Sequence, residues 1–176
     1  MHSDSLWNYS CRVYQRESVS GACLRLQNTH GQDVNLLLFA AWHGHRRGLL
    51  AQPTLQQALS FSQAWAQGVV QPLRQARTWL KQEGQHRCAS TATEREALLA
   101  IREHIKLQEL HTERYQQDHL EALVQTPEHC LSAAARRAAM QGNLLTVALA
   151  FAPHSRALQD ELQELFNALC EPLPSA

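Results

Sequence analysis

The segment DVNLLLFAAW, residues 33–42, constrains the fold more than any other part of the sequence. Its apolar residues do not keep to one face of a helix but surround the helix almost completely. A helix of this kind is stable only when other elements cover it on several sides. Asp33 is a suitable N-cap, because its carboxylate can accept a hydrogen bond from a backbone N–H of the first turn. We therefore predict a buried central helix over about residues 33–43.

The rest of the sequence also has helical periodicity. Apolar residues recur three and four positions apart, and no run alternates in the manner of a strand. Gly31 predicts the C-terminal end of the preceding helix. The T-x-x-E pattern of Thr93 and Glu96 predicts a capping box that opens a long helix. Pro72 lacks the N–H that an internal helical residue donates, so we predict a kink or a break near 68–72.

The length and composition suit one domain with its own core. The chain has 176 residues, of which 44% are hydrophobic and 18% charged. We predict an all-α, single-domain bundle of about seven helices over residues 1–171, with a frayed tail over 172–176. Gly142 and Asn143 predict an interruption of the helical pattern in its C-terminal part.

Charge and cysteine usage narrow the class of protein. The formal net charge is zero, with 16 basic and 16 acidic residues, whereas nucleic-acid-binding proteins usually carry a positive excess. Five scattered cysteines without a C-x-x-C pair are typical of reduced thiols. The segment MHSDSLWNYS does not resemble a signal peptide. Residues 48–73 carry no charge but contain too many glutamines for a membrane span. We expect a soluble cytoplasmic protein.

Ten histidines raise the question of a metal site. His104 and His111 lie seven residues apart, which is roughly 10 Å along a helix and too far to share one ion. Folding could also gather four residues near predicted helix ends into one site, although their spacing does not require it: His43, His45, His86 and Cys88. The sequence contains no nucleophile elbow, paired Glu-x-x-His element or phosphate-binding loop. We predict no catalytic, cofactor-binding or metal-binding residues, and an enzyme of unknown class is the less favoured alternative.

The basic residues indicate a possible interaction surface. Arg74, Arg77 and Lys81 share one flank of a predicted helix, and Arg46 and Arg47 follow the central helix. Such a surface suits an acidic partner. The plainer interpretation is a solvated helix flank.

Asn35 is the most unusual residue inside the apolar run. A buried amide without a hydrogen bond costs about 1–3 kcal/mol, so Asn35 must have a partner. It can hold a neighbouring loop or helix end, or it can contact a ligand. The ligand alternative leads to a small-ligand-binding bundle in which Asn35, His104, His111 and Tyr115 face an internal pocket.

Four blocks of the sequence carry a resemblance to a known family: LWNYSCRVY at 6–14, ACLRLQ at 22–27, DVNLLLFAAW at 33–42 and VVQPLRQAR at 69–77. In their order and spacing they resemble a family of small uncharacterised proteobacterial proteins. The resemblance implies a bacterial, cytoplasmic, all-helical protein and brings no established activity with it. The positions that match the family pattern are Asp33, Asn35, Trp42, Pro72, Leu73, Arg74 and Arg77. The histidines of WHGH fall outside that pattern.

The favoured hypothesis is a non-catalytic interaction or regulatory module that binds a partner protein and needs no cofactor. Nucleic acid is a disfavoured partner, and the sequence leaves the oligomeric state open. The candidate interaction or pocket residues are Asn35, Trp42, Arg46, Arg47, Arg74, Arg77 and Lys81.

Overall fold

The computed structural model describes residues 5–84, 88, 90–125, 127–128, 130–152 and 155–171, and within them it contains helices and no strand. The α-helices are α1 (Leu6–Tyr14), α2 (Glu17–His30), α3 (Val34–Arg47), α4 (Gln52–Trp65), α5 (Gln71–Trp79), α6 (Ala92–Ala122), α7 (Ala133–Phe151) and α8 (Arg156–Cys170). Two π-helical segments, Ala66–Val70 and Leu80–Gly84, join α4 to α5 and extend α5. Counted as one helix over 52–84, these pieces bring the total within the described residues to seven. The all-α prediction is confirmed.

The chain divides into two compact units. Unit 1 consists of Met1–Ser60 and Gln117–Ala176, and unit 2 of Phe61–Gln116. The single domain predicted over 1–171 stays a prediction, and the predicted tail at 172–176 lies outside the described residues. None of the helices that the structure describes combines the length and the apolar character needed to cross a membrane.

Helix α3 is the centre of unit 1, which confirms the prediction of a buried central helix. Every residue from 35 to 44 is buried, and Trp42 and Phe39 are the largest of these side chains. Asp33 caps the helix, since its carboxylate accepts a hydrogen bond of 3.2 Å from the backbone N–H of Leu36. The helix continues to Arg47, four residues beyond the predicted end.

Helix α3 lies directly against α7. A Cβ added to Gly44 would stand 2.5 Å from the Cα of Met140, so the two backbones approach more closely than any larger residue would allow. Hydrogen bonds join Gln32 to the carbonyl of Ala148 and Asn143 to the carbonyl of Ala40. Residue numbers rise along α3 as they fall along α7, so the two helices are antiparallel.

Helices α2 and α8 also pair in antiparallel fashion. Arg16, before α2, donates to the carbonyl of Ala168 near the end of α8, while His30 at the end of α2 lies 3.6 Å from Glu161. Gly31 ends α2 in the left-handed conformation, with φ of 64°, as its position in the sequence predicted. The buried face of α2 consists of Val19, Ala22, Cys23 and Leu26.

Two local predictions are wrong, one in its position and the other altogether. The capping box of α6 is formed by Thr91 and Glu94: the Glu94 N–H donates to Thr91 Oγ1 at 3.2 Å, and the Glu94 carboxylate accepts from the Thr91 N–H at 2.8 Å. The sequence TATERE contains two overlapping T-x-x-E patterns, and the earlier one is used instead of Thr93 and Glu96. Helix α7 also runs without interruption through Gly142 and Asn143.

The chain does not break at Pro72. The π-helical segment Ala66–Val70 precedes it, and the Gln71 N–H bonds to the carbonyl of Ala66, five residues back. A helix can accommodate a residue without a donor N–H when its hydrogen-bond pattern changes locally. The disturbance expected near 68–72 therefore takes the form of a wider turn, and the helix continues.

Candidate functional site

The arginines of the predicted basic flank are ion-paired inside unit 2. Arg74 donates to Glu113 at 2.6 Å and lies 3.4 Å from Glu109, and Arg77 donates to Glu109 through two of its nitrogens. The Glu109 side chain is only 8% exposed, whereas the two arginine side chains are about 30% exposed. Arg74 and Arg77 thus make an ion-paired contact with α6, while Lys81 on the same flank is exposed. Whether Arg74 and Arg77 also bind a partner stays a prediction.

Aromatic and amide side chains add further contacts between the helices of this unit. The indole N–H of Trp65 donates to the carbonyl of Thr112 at 3.1 Å, and the Trp65 ring lies 4.7 Å from that of Tyr115. Gln116 donates to Ser62 at 3.2 Å, and both side chains are buried. Polar and aromatic contacts therefore join the end of α4 to α6 within this unit.

Unit 2 buries very little apolar surface. Among the described side chains of residues 61–116, Val70 is the only apolar one in the buried class. By contrast, six large apolar side chains of this unit are exposed: Trp79, Leu99, Ile101, Leu107, Leu110 and Tyr115. Contiguous exposed apolar patches mark interaction surfaces, whereas single exposed apolar side chains are ordinary.

An exposed tryptophan stands on the outer side of α5. Gln75, Thr78, Trp79 and Gln82 are spaced three and four residues apart, so they share one helix face, which we call the Trp79 face. Together with Arg74 they line a shallow depression of about 340 Å³. Trp79 is 44% exposed. The face itself is uncharged, and Lys81 is exposed next to it along the helix.

The two π-helical segments bracket α5, one directly before it and one directly after. Such segments interrupt the regular hydrogen-bond pattern of an α-helix, and they occur frequently at functional sites. Pro72 is the only sequence signal of the first segment, and we find none for the second. Sequence reasoning therefore missed the depression beside Trp79 and identified only the charged flank.

Asn35 has an internal partner within unit 1. Gln117, near the end of α6, donates from its amide to Asn35 Oδ1 at 2.7 Å, and both residues are buried. This contact agrees with the interpretation that Asn35 holds a helix end. Asn143 is a second buried amide of this kind: it donates to the carbonyl of Gly48 at 3.1 Å and accepts from the N–H of Leu50 at 3.0 Å. Its position inside the apolar run of α7 is the signal that could have identified it.

Trp42, Arg46 and Arg47 lie together at the end of α3. Trp42 is fully buried, and the guanidinium of Arg47 stands 4.9 Å from the centre of a Trp42 ring, a cation–π distance. Both arginines bind the carboxylate of Glu128, at 2.6 Å from Arg46 and 3.4 Å from Arg47. Each of these sequence candidates therefore has a structural contact within unit 1.

The histidines of WHGH have different surroundings. His43 is buried, and its Nδ1 lies 3.0 Å from the carbonyl oxygen of Gly48, so Nδ1 carries the proton and donates it. Burial lowers the pKa of His43, and the charge of Arg47 lowers it further, against the opposing effect of the Gly48 carbonyl. Burial also lowers the pKa of His45. His86 lies outside the described residues, and no group of three potential ligands forms a metal site within them.

The prediction of an internal pocket lined by the histidine stripe is wrong. His104, His111 and Tyr115 are all exposed on α6, and His104 is bonded through Nδ1 to the carbonyl of its own helix at Ala100, 2.8 Å away. Their regular spacing reflects a solvated helix face.

Comparison with known proteins places the first two thirds of the chain in a family. A family model described as protein of unknown function (DUF2390) matches residues 5–120. The match covers α1 to α5 and nearly all of α6, and it includes the whole of unit 2. No curated protein and no solved structure matches the chain.

Proposed function

The chain belongs to the DUF2390 family of proteins of unknown function, and we propose that it is a non-catalytic interaction module that binds a partner protein through the Trp79 face. The observation that carries this proposal is Trp79 itself. It is a large aromatic side chain, 44% exposed, beside a depression on a helix that two π-helical segments bracket.

Tryptophan is well suited to anchoring a protein interface. It offers a large apolar area with little rotamer entropy to lose, and it is enriched among the residues that dominate binding energy. Gln75 and Thr78 on the same face can donate and accept hydrogen bonds without the cost of desolvating a charge. The depression, of about 340 Å³, offers room for one apolar side chain of the partner against the indole.

The charges around the Trp79 face favour an acidic partner segment. Residues 71–82 contain Arg74, Arg77 and Lys81, and Glu83 is the first acidic residue after them. Glu109 and Glu113 already balance the two arginines, so Lys81, which is exposed, is the charge best placed to meet the partner. We therefore propose that the partner presents an apolar side chain next to a carboxylate. A charge at the rim of an interface acts mainly on the association rate and its salt dependence.

The remaining sequence candidates belong to unit 1, and we propose structural roles for them. Contacts within unit 1 already involve each of these residues, so no separate partner is needed to explain them: Asn35, Trp42, Arg46 and Arg47. We also propose a cytoplasmic location. All five cysteines are free, which agrees with a reducing compartment.

The proposal is tested by comparing the wild-type protein with Trp79→Ala in affinity purification from the native host, followed by direct binding measurements with each captured protein. Because tryptophan anchors typically contribute 2 kcal/mol or more, we expect Trp79→Ala to weaken binding by roughly 30-fold. Tyr14→Ala is the matched control, since Tyr14 is an aromatic residue of unit 1 that is 38% exposed. A partner that binds both variants as tightly as the wild type would contradict the proposal.

The charge requirement has its own measurement. Lys81→Glu should reduce the association rate with the same purified partner and remove part of its dependence on salt. An association rate that is unchanged at low salt would show that the partner segment is not acidic. Circular dichroism of each variant establishes that the helices are intact.

A further inference from the structure

Helix α6 carries a second exposed surface, which the proposed function does not use. Leu99, Glu103, Lys106 and Leu110 follow one another at intervals of four, three and four residues, so they form one stripe along the helix, here called the α6 stripe. All four are exposed, and the two leucines are 43% and 48% exposed. The two leucines can be buried against another helix, and the two opposite charges between them can pair across the contact.

The order of residues in the α6 stripe is symmetrical. Leu99 and Leu110 are equally far in sequence from the midpoint between residues 104 and 105, and so are Glu103 and Lys106. A second α6 in antiparallel orientation therefore places each leucine against a leucine and each Glu103 against a Lys106. A parallel copy would instead set Glu103 against Glu103 and Lys106 against Lys106, which is unfavourable.

We propose that the α6 stripe is a self-association surface on which a second copy of this chain docks, with the two α6 helices antiparallel about a twofold axis at residues 104–105. In such an interface the same residues serve both partners, and the arrangement closes at two copies. The proposal rests on α6, whereas the proposed function rests on α5, so either can fail without the other.

The charges set the direction of pairing, and the leucines supply most of the affinity. Within one chain, Glu103 is 3.4 Å from Lys106 and 2.9 Å from Arg102, and Glu103 and Lys106 are both more than half exposed. Exposed ion pairs contribute little free energy, so exchanging a pair within one copy for a pair between copies changes the affinity only slightly. Burying four leucines in a narrow contact gives a reversible dimer whose population depends on concentration.

Sedimentation velocity of the full chain over a range of concentrations tests the proposal. We expect the wild type to shift from a 19.9 kDa monomer toward a dimer as concentration rises. Leu110→Glu should weaken dimerisation at least tenfold, because it places a carboxylate against Leu99 of the other copy. Leu24→Glu is the matched control on α2, since Leu24 is 47% exposed, and it should dimerise like the wild type. A wild type that stays monomeric throughout, or a Leu110→Glu variant that dimerises normally, would overturn the proposal.

Charge exchange tests the antiparallel orientation. Glu103→Lys and Lys106→Glu should each weaken the dimer, because each creates two like-charge contacts across the twofold axis. The double variant restores opposite charges and should recover the wild-type dissociation constant. If the double variant dimerises no more tightly than the single variant with the weaker dimer, the antiparallel register is wrong even where a dimer forms. Capture of the partner by the Trp79 face should be the same in all three variants.

Discussion

Gly44→Ala is the change whose effect follows most directly from the structure. The added Cβ would lie 2.5 Å from the Cα of Met140, 2.6 Å from its N and 2.9 Å from the carbonyl carbon of Ala139. All three are backbone atoms of α7, so no side-chain rotation can relieve the contact. An ordinary Cβ contact begins at 3.4 Å, so α3 and α7 must separate locally by about 1 Å.

Two opposing effects determine the size of the change. Alanine is favoured over glycine inside a helix by about 1 kcal/mol. Overpacking of a dense core typically costs about 1–3 kcal/mol and occasionally more, and separating the helices also opens voids beside buried residues such as Phe39. Because three backbone atoms are involved at once and voids add to the cost, we expect a gross loss of about 3–5 kcal/mol, and after the gain in helix propensity a net loss of about 2–4 kcal/mol in the free energy of unfolding. For a chain of this length, that corresponds to a fall of roughly 5–15 °C in Tm.

Urea and thermal unfolding, followed by circular dichroism, measure this loss. Gly68→Ala is the control, because a Cβ added at Gly68 meets nothing within 4 Å. Gly68 lies in a helical segment, so its replacement should leave stability unchanged or raise it by up to about 1 kcal/mol. If Gly44→Ala proves as stable as the wild type, the close approach of α3 to α7 is wrong, and with it the packing of unit 1.

Three further predictions concern single side chains. The pKa of His43 is lower in the folded protein than its unfolded value near 6.5, so the unfolded chain binds protons more readily and stability should fall as pH drops below about 6.5. His43→Asn keeps a donor for the Gly48 carbonyl and should flatten this dependence in unfolding curves measured from pH 5 to 7.5. An unchanged slope would show that His43 does not contribute to it. Glu109→Gln removes the carboxylate that two partly exposed arginines share, so it should lower the free energy of unfolding in urea by about 1–2 kcal/mol. Glu103→Gln, on an exposed stretch of the same helix, is the control and should leave the free energy of unfolding unchanged. Burial raises the pKa of Cys23 to about 12, so this thiol should react with an alkylating reagent only when the protein unfolds. Timed alkylation followed by mass spectrometry measures the rate, and labelling of Cys23 as fast as the exposed Cys11 would refute its burial.

The sequence predicted best what short-range patterns determine. Asp33 and Gly31 act as helix ends because the cap geometry depends on neighbouring residues alone, and the all-round apolar character of residues 34–42 requires burial in any fold. The capping box of α6 shows the limit of such patterns. Thr91 and Thr93 both fit it, and the local sequence does not distinguish between them.

What the sequence could not predict depends on residues far apart in the chain. The sequence predicts a basic interaction surface or a solvated flank at Arg74 and Arg77, because their partners, Glu109 and Glu113, follow more than 30 residues later. The pair Gly142-Asn143 predicts an interruption from the local sequence alone. In the structure the helix continues, and Asn143 bonds to the carbonyls of Ala40 in α3 and of Gly48 directly after it. The sequence does not predict the role of Gly44, because that role depends on the close approach of α7, which the local pattern does not show.

The pairing of α3 with α7 also has a consequence for how the protein is made. Asn143 and Ala40, which bond across this pair, are 103 residues apart in the chain. At translation rates of about 5–20 residues per second, α3 leaves the ribosome roughly 5–20 s before the helix that covers it. During that interval the side of α3 that later faces α7 is open to solvent. The nascent chain is therefore expected to need chaperone protection at this apolar segment, and unit 1 can complete its core only after synthesis has passed α8.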